Sequence, residues 1–225
     1  LEWIQFPRFS PETQIEITSS NWFNPVLNYK FFMVPGILVI LVTMVGSFLA
    51  SLNIVREKEI GTIEQINVTP VKKHHFILGK LIPFWVLGLL VLTIGLGLAR
   101  LAYGIVPAGN LLVIYSFAAV YLLAVLGLGL LISTYTGNQQ QAMLLSFFMM
   151  MVFILLSGLY TSIDSMPSWA QAITKINPVT YFIDVMRMVV LKGSGFRDIM
   201  PHLLTVFGFA VALNTWAVIN YKKRS

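Results

Sequence analysis

The strongest constraint in this sequence is the distribution of its charges, which leaves long stretches without any Asp, Glu, Lys, Arg or His. Between Lys30 and Arg56 lie 25 uncharged residues, and between Lys80 and Arg100 lie 19. The next uncharged stretch, residues 101–163, is 63 residues long. Because a helix that crosses a bilayer needs about 20 apolar residues, the sequence predicts an integral membrane protein built from helices.

Five membrane spans fit these stretches. The polar segment 133–141 divides the longest stretch into two, and a last run of 19 uncharged residues lies between His202 and Lys222. The pattern therefore predicts an all-α polytopic helical bundle. The spans are expected at residues 34–55, 81–99, 111–132, 142–159 and 203–221.

Composition narrows the class further. The chain is 57% hydrophobic and 11% charged, with a mean hydropathy of +0.80. Its net charge of +6 comes from basic residues at the edges of apolar runs, which favours contact with anionic lipid over nucleic acid. The chain contains no cysteine, so disulfides and thiol catalysis are excluded.

The basic residues also predict orientation, because short cytoplasmic loops carry an excess of lysine and arginine. Both the loop 56–80 and the C-terminal tail are basic, whereas residues 101–110 carry no charge. We therefore expect the loop and the C-terminus to face the cytoplasm, with Arg100 as the one exception. The basic residues are Arg56, Lys58, Lys72, Lys73 and Lys80 in the loop, and Lys222, Lys223 and Arg224 in the tail.

Residues 1–32 differ from the rest of the chain. They alternate apolar and polar side chains around Ile15 and are interrupted by prolines. Aromatic residues gather at 22–32, as they do at a membrane boundary, although a small soluble cluster fits almost as well. We interpret residues 1–32 as the end of an extracytoplasmic domain, with further sequence expected before Leu1, and residues 33–225 as the membrane domain.

The charged loop 56–80 contains a predicted short helix. Gly61 interrupts the helix that leaves the membrane, and Thr62 with Gln65 fits a capping box. Pro70 closes the new helix because the residue before proline disfavours helix. Such an amphipathic helix at the membrane surface can transmit a push, or it can be a solvated loop that only obeys topology. Its apolar side consists of Ile60, Ile63 and Ile66.

The segment 165–191 is predicted to form two short helices that enter the outer leaflet or lie on it. An interfacial helix carries Trp169 and Ile173 on its apolar side. The second helix follows Asn177-Pro178 and contains Asp184 three residues before Arg187. We expect these two charges to be paired or hydrated.

The spans lack the groups that most other membrane mechanisms need. No Asp, Glu, Lys, Arg or His lies inside any of the five, which disfavours an ion-coupled carrier. The chain has no phosphate-binding loop and no nucleophile with a base, and adjacent His74 and His75 do not form a metal site. The stretch 147–151 is rich in Phe and Met and more often faces lipid or helices than a substrate path. Small residues four apart predict close helix packing at Gly95 and Ala99, Gly129 and Ser133, and Gly208 and Ala212.

Several of these residues together resemble the permease subunit of the ABC type-2 exporters, a bacterial family that includes drug-efflux permeases. The resemblance rests on the charged loop, on Asn177-Pro178 with Tyr181, and on the basic tail. It covers about residue 20 to the end. The loop residues that carry it are Arg56, Glu57, Lys58, Glu59, Gly61, Thr62, Glu64, Thr69 and Pro70.

The resemblance implies a six-span membrane subunit of the bacterial inner membrane, with no catalytic or metal site and no cofactor of its own. A separate ATP-binding subunit would bind ATP and Mg²⁺, and a second permease copy would complete the transporter, with a periplasmic adaptor as a further possible partner. The outer segment would form half-helices that close the exit side, with Asn177, Pro178, Tyr181, Asp184 and Arg187 as the gate. The coupling helix would dock on the ATPase through Arg56, Glu57, Glu59, Gly61, Thr62 and Glu64.

Two other functions stay open at this point. A membrane scaffold would bind its partner statically and move nothing. An ion-coupled carrier would lose transport with the ion gradient even when ATP remains, and the uncharged spans disfavour it.

Overall fold

The computed structural model describes residues 29–61 and 73–220, with the backbone alone over 73–78. Within these ranges the secondary structure is helical, and no β-strand occurs. The helices are α1 (Tyr29–Ile60), α2 (Lys73–Tyr103), α3 (Leu111–Tyr135), α4 (Gln139–Leu155), a 3₁₀ turn (Ile163–Ser165), α5 (Ser168–Thr174), α6 (Pro178–Lys192) and α7 (Phe196–Asn220).

The predicted all-α polytopic fold is confirmed. Helices α1, α2, α3 and α7 are long and apolar enough to cross a membrane. Helix α4 is the fifth apolar helix but has only 17 residues, which gives it a length of about 25 Å. It covers 139–155 instead of the expected 142–159, so the described residues contain four full-length span candidates and one shorter apolar helix.

Some expectations lie outside the described residues. They are residues 1–28 of the expected extracytoplasmic segment 1–32, the amphipathic helix after Gly61 with Thr62 and Glu64, and the basic tail at residues 222–224. Residues 29–32 of that segment belong to α1.

Helix ends are set by local chemistry that the sequence contains. Helix α1 stops at Ile60 because Gly61 adopts a positive φ of 80°, which glycine reaches without steric cost. Helix α3 begins where the side chain of Asn110 accepts a hydrogen bond from Leu112 N–H at 2.8 Å. Asn138 does the same for α4 through Gln141 N–H, also at 2.8 Å. Side-chain caps of this kind satisfy N–H groups that have no partner inside the helix.

Helix α3 lies at the centre of the bundle and packs against α1, α2, α4, α6 and α7. Lipid tails are as apolar as these side chains, so close packing rather than removal from water holds the helices together. The fully buried side chains along α3 include Ile114, Phe117, Tyr121, Leu122, Leu126 and Leu130.

Small residues permit two of the closest contacts. A Cβ added to Gly129 would lie 2.7 Å from the carbonyl oxygen of Ser47, so α1 and α3 approach each other at this point. A Cβ at Gly95 would meet the side chain of Leu38 in α1. Gly208 of α7 has no atom of this chain within 4 Å of the added Cβ. Two of the three predicted small-residue pairs therefore include a glycine at a helix contact.

Helix α6 is inserted among the longer helices. The ring of Phe182 lies 4.5 Å from that of Tyr121 and 5.5 Å from that of Phe117, measured between centroids. Tyr121 in turn shares a 2.6 Å hydrogen bond between hydroxyl groups with Thr43 of α1. Because Tyr121 is ten residues into α3, α6 reaches about 15 Å below the start of that helix.

Helix α5 lies at the surface of the bundle. Trp169, Ile173 and Ile176 are exposed, whereas Ala170 and Thr174 are buried against the protein. The apolar side that the sequence indicates therefore faces away from the chain.

Candidate functional site

The end of α1 carries the first group of predicted site residues. Arg56 is exposed, and the N–H of Gly61 donates to the carbonyl of Lys58 at 3.3 Å. Thr62 and Glu64, which complete the predicted docking element, lie outside the described residues. The structure therefore describes the point at which this segment departs from α1. Its role in docking stays a prediction.

Two predicted docking residues have partners within the chain. The carboxylate of Glu57 forms an ion pair with the ammonium of Lys80 in α2. The carboxylate of Glu59 accepts from the backbone N–H of Gln139 at 2.7 Å and from the Gln139 side chain. Gln139 is the first residue of α4, where an acidic group is stabilised by the unpaired N–H groups of the helix.

Lys58 completes this group, although it was not among the predicted docking residues. Its ammonium donates to the carbonyl of Ser133, and to that of Thr136 at 3.4 Å. Both carbonyls belong to the C-terminal end of α3, where a positive charge is favourable. The sequence signal was only the alternation of charges. We call the three residues Glu57, Lys58 and Glu59 the charged clasp.

At the other end of α4, the predicted outer segment supplies polar side chains to backbone carbonyls. Asn177 accepts from the N–H of Val179 at 3.0 Å, which caps α6, and its amide donates to the carbonyl of Phe153 at 2.7 Å. Thr174 donates to the carbonyl of Leu156 at 3.2 Å. Carbonyls left unpaired at the end of a helix are thereby satisfied.

Arg187 is the third side chain at this end and is only 7% exposed. Its Nη1 donates to the carbonyl of Gly158 at 3.3 Å, and its guanidinium carbon lies 3.7 Å from the ring centroid of Phe32 in α1. Its Nε and Nη2 are buried without a hydrogen-bond partner. These two atoms form the edge that arginine normally presents to a carboxylate or phosphate. We call Thr174, Asn177 and Arg187 the far-end cap.

Asp184 and Arg187 were expected to be paired or hydrated. They lie one helical turn apart, and the structure shows no ion pair between them. Burial raises the pKa of the Asp184 carboxyl, while the charges of Arg187 and His202 act in the opposite direction. Tyr181, another predicted gate residue, donates its hydroxyl to the carbonyl of Lys175 at 2.7 Å.

Helix α6 is fixed at both ends. Pro178 occupies its first turn directly after the Asn177 cap, where proline is favourable. At its C-terminus, the N–H groups of Ala108 and Gly109 donate to the carbonyls of Val190 and Val189, each at 3.0 Å. The connection between α2 and α3 therefore holds one end of α6, and the end of α4 holds the other.

The polar residues of both groups mainly contact backbone groups at helix ends. Within residues 29–61 and 79–220, no three His, Asp or Glu side chains come together in a way that could bind a metal ion. The polar contacts instead join helix ends to one another. A family model described as "ABC-2 family transporter protein" matches residues 7–219.

The chain belongs to this family. It is a multi-pass membrane protein that carries the permease part of an ABC-2 transporter.

Curated proteins give the same assignment. The chain is 38% identical over 209 residues to "Probable multidrug ABC transporter permease YbhR" of Escherichia coli K12, with 93% of this chain and 57% of that protein covered. It is 35% identical over 217 residues to "Probable multidrug ABC transporter permease YbhS" of the same organism, with 95% and 57% covered. It is also 28% identical to "Inner membrane transport permease YhhJ" over 222 residues, 96% of this chain and 58% of that protein. The chain therefore spans a little over half the length of these relatives.

Proposed function

We propose that this chain forms part of the membrane subunit of an ATP-driven exporter in the bacterial inner membrane. The observation that carries the proposal is the ABC-2 family match over residues 7–219. In this proposal a separate subunit binds ATP with Mg²⁺, and its closure moves the charged segment that follows α1. The chain itself has no catalytic role.

The uncharged spans support an external energy source. Residues 34–55, 81–99, 111–132 and 203–221 contain no Asp, Glu, Lys, Arg or His. The charged residues Asp184 and Arg187 lie on α6, which is not one of these spans. Carriers that use a proton or sodium gradient need such groups at depth in the membrane. The force that moves these helices is therefore proposed to come from ATP binding on the partner.

Contact with the ATPase is assigned to the segment around the end of α1. Arg56 and Ile60 are exposed, and the chain turns away from the helix at Gly61. Thr62 and Glu64 follow directly in the sequence. We assign these residues to the docking surface, with a second permease copy completing the transporter.

The far-end cap and α6 are proposed to form the exit gate. Helix α6 packs against both α1 and α3 and reaches the level of Tyr121, so in this proposal outward release of a substrate requires it to shift. Because two relatives are named as probable multidrug permeases, we propose drug compounds as the substrate class of this chain. A periplasmic adaptor remains a further proposed partner.

Transport is tested with the full-length protein and its ATPase in inverted membrane vesicles, with ethidium as the probe. We expect ATP to drive ethidium uptake into the vesicles. An ATPase whose phosphate-loop lysine is replaced is the control and should give no uptake. ATP-independent binding without transport would indicate a scaffold, and uptake that collapses with the ion gradient alone would indicate an ion-coupled carrier. Either result would overturn the proposal.

Orientation has its own test. The 225 residues contain no cysteine, so a single introduced thiol can report its compartment. In intact cells, Glu64→Cys should react with an impermeant maleimide only after permeabilisation. Val106→Cys, in the exposed connection between α2 and α3, should react without it. The reverse pattern would place the charged loop outside and overturn the proposed coupling.

A further inference from the structure

We propose that α4 moves as a rigid helix and transmits displacement from the charged clasp to the far-end cap. In this proposal Glu57 and Glu59 position helices within the chain instead of docking the ATPase. This inference rests on the proposed function. It concerns how force passes through the permease once a partner supplies it.

The clasp joins one turn of α1 to three helices. Successive residues of a helix are rotated by about 100°, so three in a row face across roughly 200° of its circumference. Glu57 accordingly contacts α2, Lys58 contacts the end of α3, and Glu59 contacts the start of α4. A shift at the end of α1 therefore acts on three neighbours together.

The charges match the helix ends that they contact. Lys58 is positive and lies at the C-terminal carbonyls of α3, whereas Glu59 is negative and lies at the first N–H of α4. Helix ends attract charges of these signs. The turn between α3 and α4 is held from both sides by adjacent residues of α1, so it follows that helix when it moves.

Helix α4 connects the two groups of contacts. Its first residue, Gln139, is bound by Glu59. Near its last turn, the carbonyl of Phe153 is bound by Asn177, which also caps α6. A helix moves as a body where a loop would bend. Displacement of Gln139 is therefore passed along α4 to the start of α6.

The residues proposed to dock the ATPase and those proposed to position helices occupy different places in the sequence. Arg56 is exposed and precedes the clasp, and Gly61 ends the helix two residues after Glu59. Glu59 is exposed as well, but its carboxylate is bonded to Gln139. The docking surface is then left to Arg56, Ile60 and the residues from Gly61 onward. Glu57 and Glu59 turn that contact into motion of α2 and α4.

The test compares Glu59→Ala with Arg56→Ala in the full-length transporter and its ATPase. Three readouts are measured in vesicles: co-elution of the two subunits, ATP turnover, and ethidium transported per ATP hydrolysed. For Glu59→Ala we expect intact co-elution and turnover, with transport per ATP reduced about fivefold or more, as coupling free energies between sites typically produce. Arg56→Ala should instead weaken co-elution and leave transport per ATP in the remaining complex unchanged.

An exchange of the pair provides a rescue. Glu59→Gln combined with Gln139→Glu places the carboxylate on the first residue of α4 and the amide on α1. Transport per ATP should recover relative to Glu59→Gln alone, which a docking role for Glu59 does not predict. Thermal unfolding of each variant in detergent confirms that it is folded.

Two results would overturn the inference. One is loss of co-elution in Glu59→Ala, and the other is unchanged transport per ATP in that variant. Failure of the proposed function is distinct from both, because the wild-type complex would then show no ATP-dependent transport.

Discussion

The side-chain amide of Asn177 donates to the carbonyl of Phe153, 24 residues earlier in the chain, while its oxygen caps α6. One buried side chain therefore ties the end of α4 to the start of α6. Its two bonds can be removed separately, which allows the contribution of each to be measured.

Replacement of Asn177 should destabilise the protein in two steps. Asn177→Asp keeps an acceptor for the cap but loses the donor to Phe153, and Asn177→Ala loses both. We expect Asn177→Ala to lower the free energy of unfolding by about 2–3 kcal/mol, since a cap and a buried hydrogen bond are each worth about 1 kcal/mol. Thermal unfolding in detergent, followed by circular dichroism, measures this.

Asn110→Ala is the matched control, because Asn110 caps α3 at an exposed position and its side chain bonds only Leu112 N–H. It should cost about 1 kcal/mol. An equal loss for Asn110→Ala and Asn177→Ala would show that the bond to Phe153 contributes nothing.

Gly127→Ala should separate α3 from α7. An added Cβ would lie 2.6 Å from Nδ2 of Asn214, which donates to the carbonyl of Leu123 at 2.9 Å. We expect a loss of about 1–3 kcal/mol in unfolding free energy, as overpacking usually produces. Gly208→Ala meets no atom within 4 Å and should be neutral or slightly stabilising. Adding Asn214→Ala to Gly127→Ala should recover part of the loss, and no recovery would place the clash elsewhere.

Substitutions at Arg187 should separate stability from function. Arg187→Met removes two buried donors without partners while keeping most of the volume against Phe32. Replacement of a poorly paired buried charge by an apolar side chain is often neutral or stabilising, so we expect an unchanged or higher unfolding temperature. Arg187→Ala should lower it, because the packing is lost.

Transport gives the second measurement for this position. If Arg187 acts in the gate, ethidium transport should fall in both variants, although only Arg187→Ala loses stability. Full transport by Arg187→Met would remove Arg187 from the gate.

Stability should depend on pH through Asp184. Burial raises its pKa in the folded state above the ordinary value, against the weaker opposite effects of Arg187 and His202. The folded protein therefore holds this proton more tightly than the unfolded chain. The resulting stabilisation is complete below the ordinary pKa of aspartate and is lost as the pH rises through the raised value.

Asp184→Asn should remove this dependence. We expect the difference in unfolding temperature between Asp184→Asn and the wild type to increase from acid toward neutral pH, with the variant more stable at neutral pH. A difference that stays constant across that range would contradict the raised pKa.

The sequence was sufficient to predict those structural features that depend only on residues close together in the chain. The charge-free stretches located the helices, Gly61 marked the end of α1, and Asn177-Pro178 marked the start of α6. Each depends on hydropathy, on backbone freedom or on a cap within a few residues.

The sequence was insufficient to predict contacts between residues that are far apart in the chain. It showed that Lys58 is charged but not that its ammonium donates a hydrogen bond to the carbonyl of Ser133, 75 residues away. It also extended the fourth span to residue 159, because hydropathy does not detect a backbone that turns at Gly158, where φ is 76°. The end of α4 is stabilised by side chains from a later segment, which no local pattern contains.

The length of α4 has a consequence for the surrounding lipid. Met143, Leu144, Phe147 and Phe148 are exposed on a helix of about 25 Å, whereas the hydrocarbon layer of a bilayer is about 30 Å thick. Where acyl chains cover this face, hydrophobic mismatch requires the bilayer to thin locally. The headgroup region is then drawn toward the end of α4, and the membrane itself becomes easiest to deform beside the helix that we assign to force transmission.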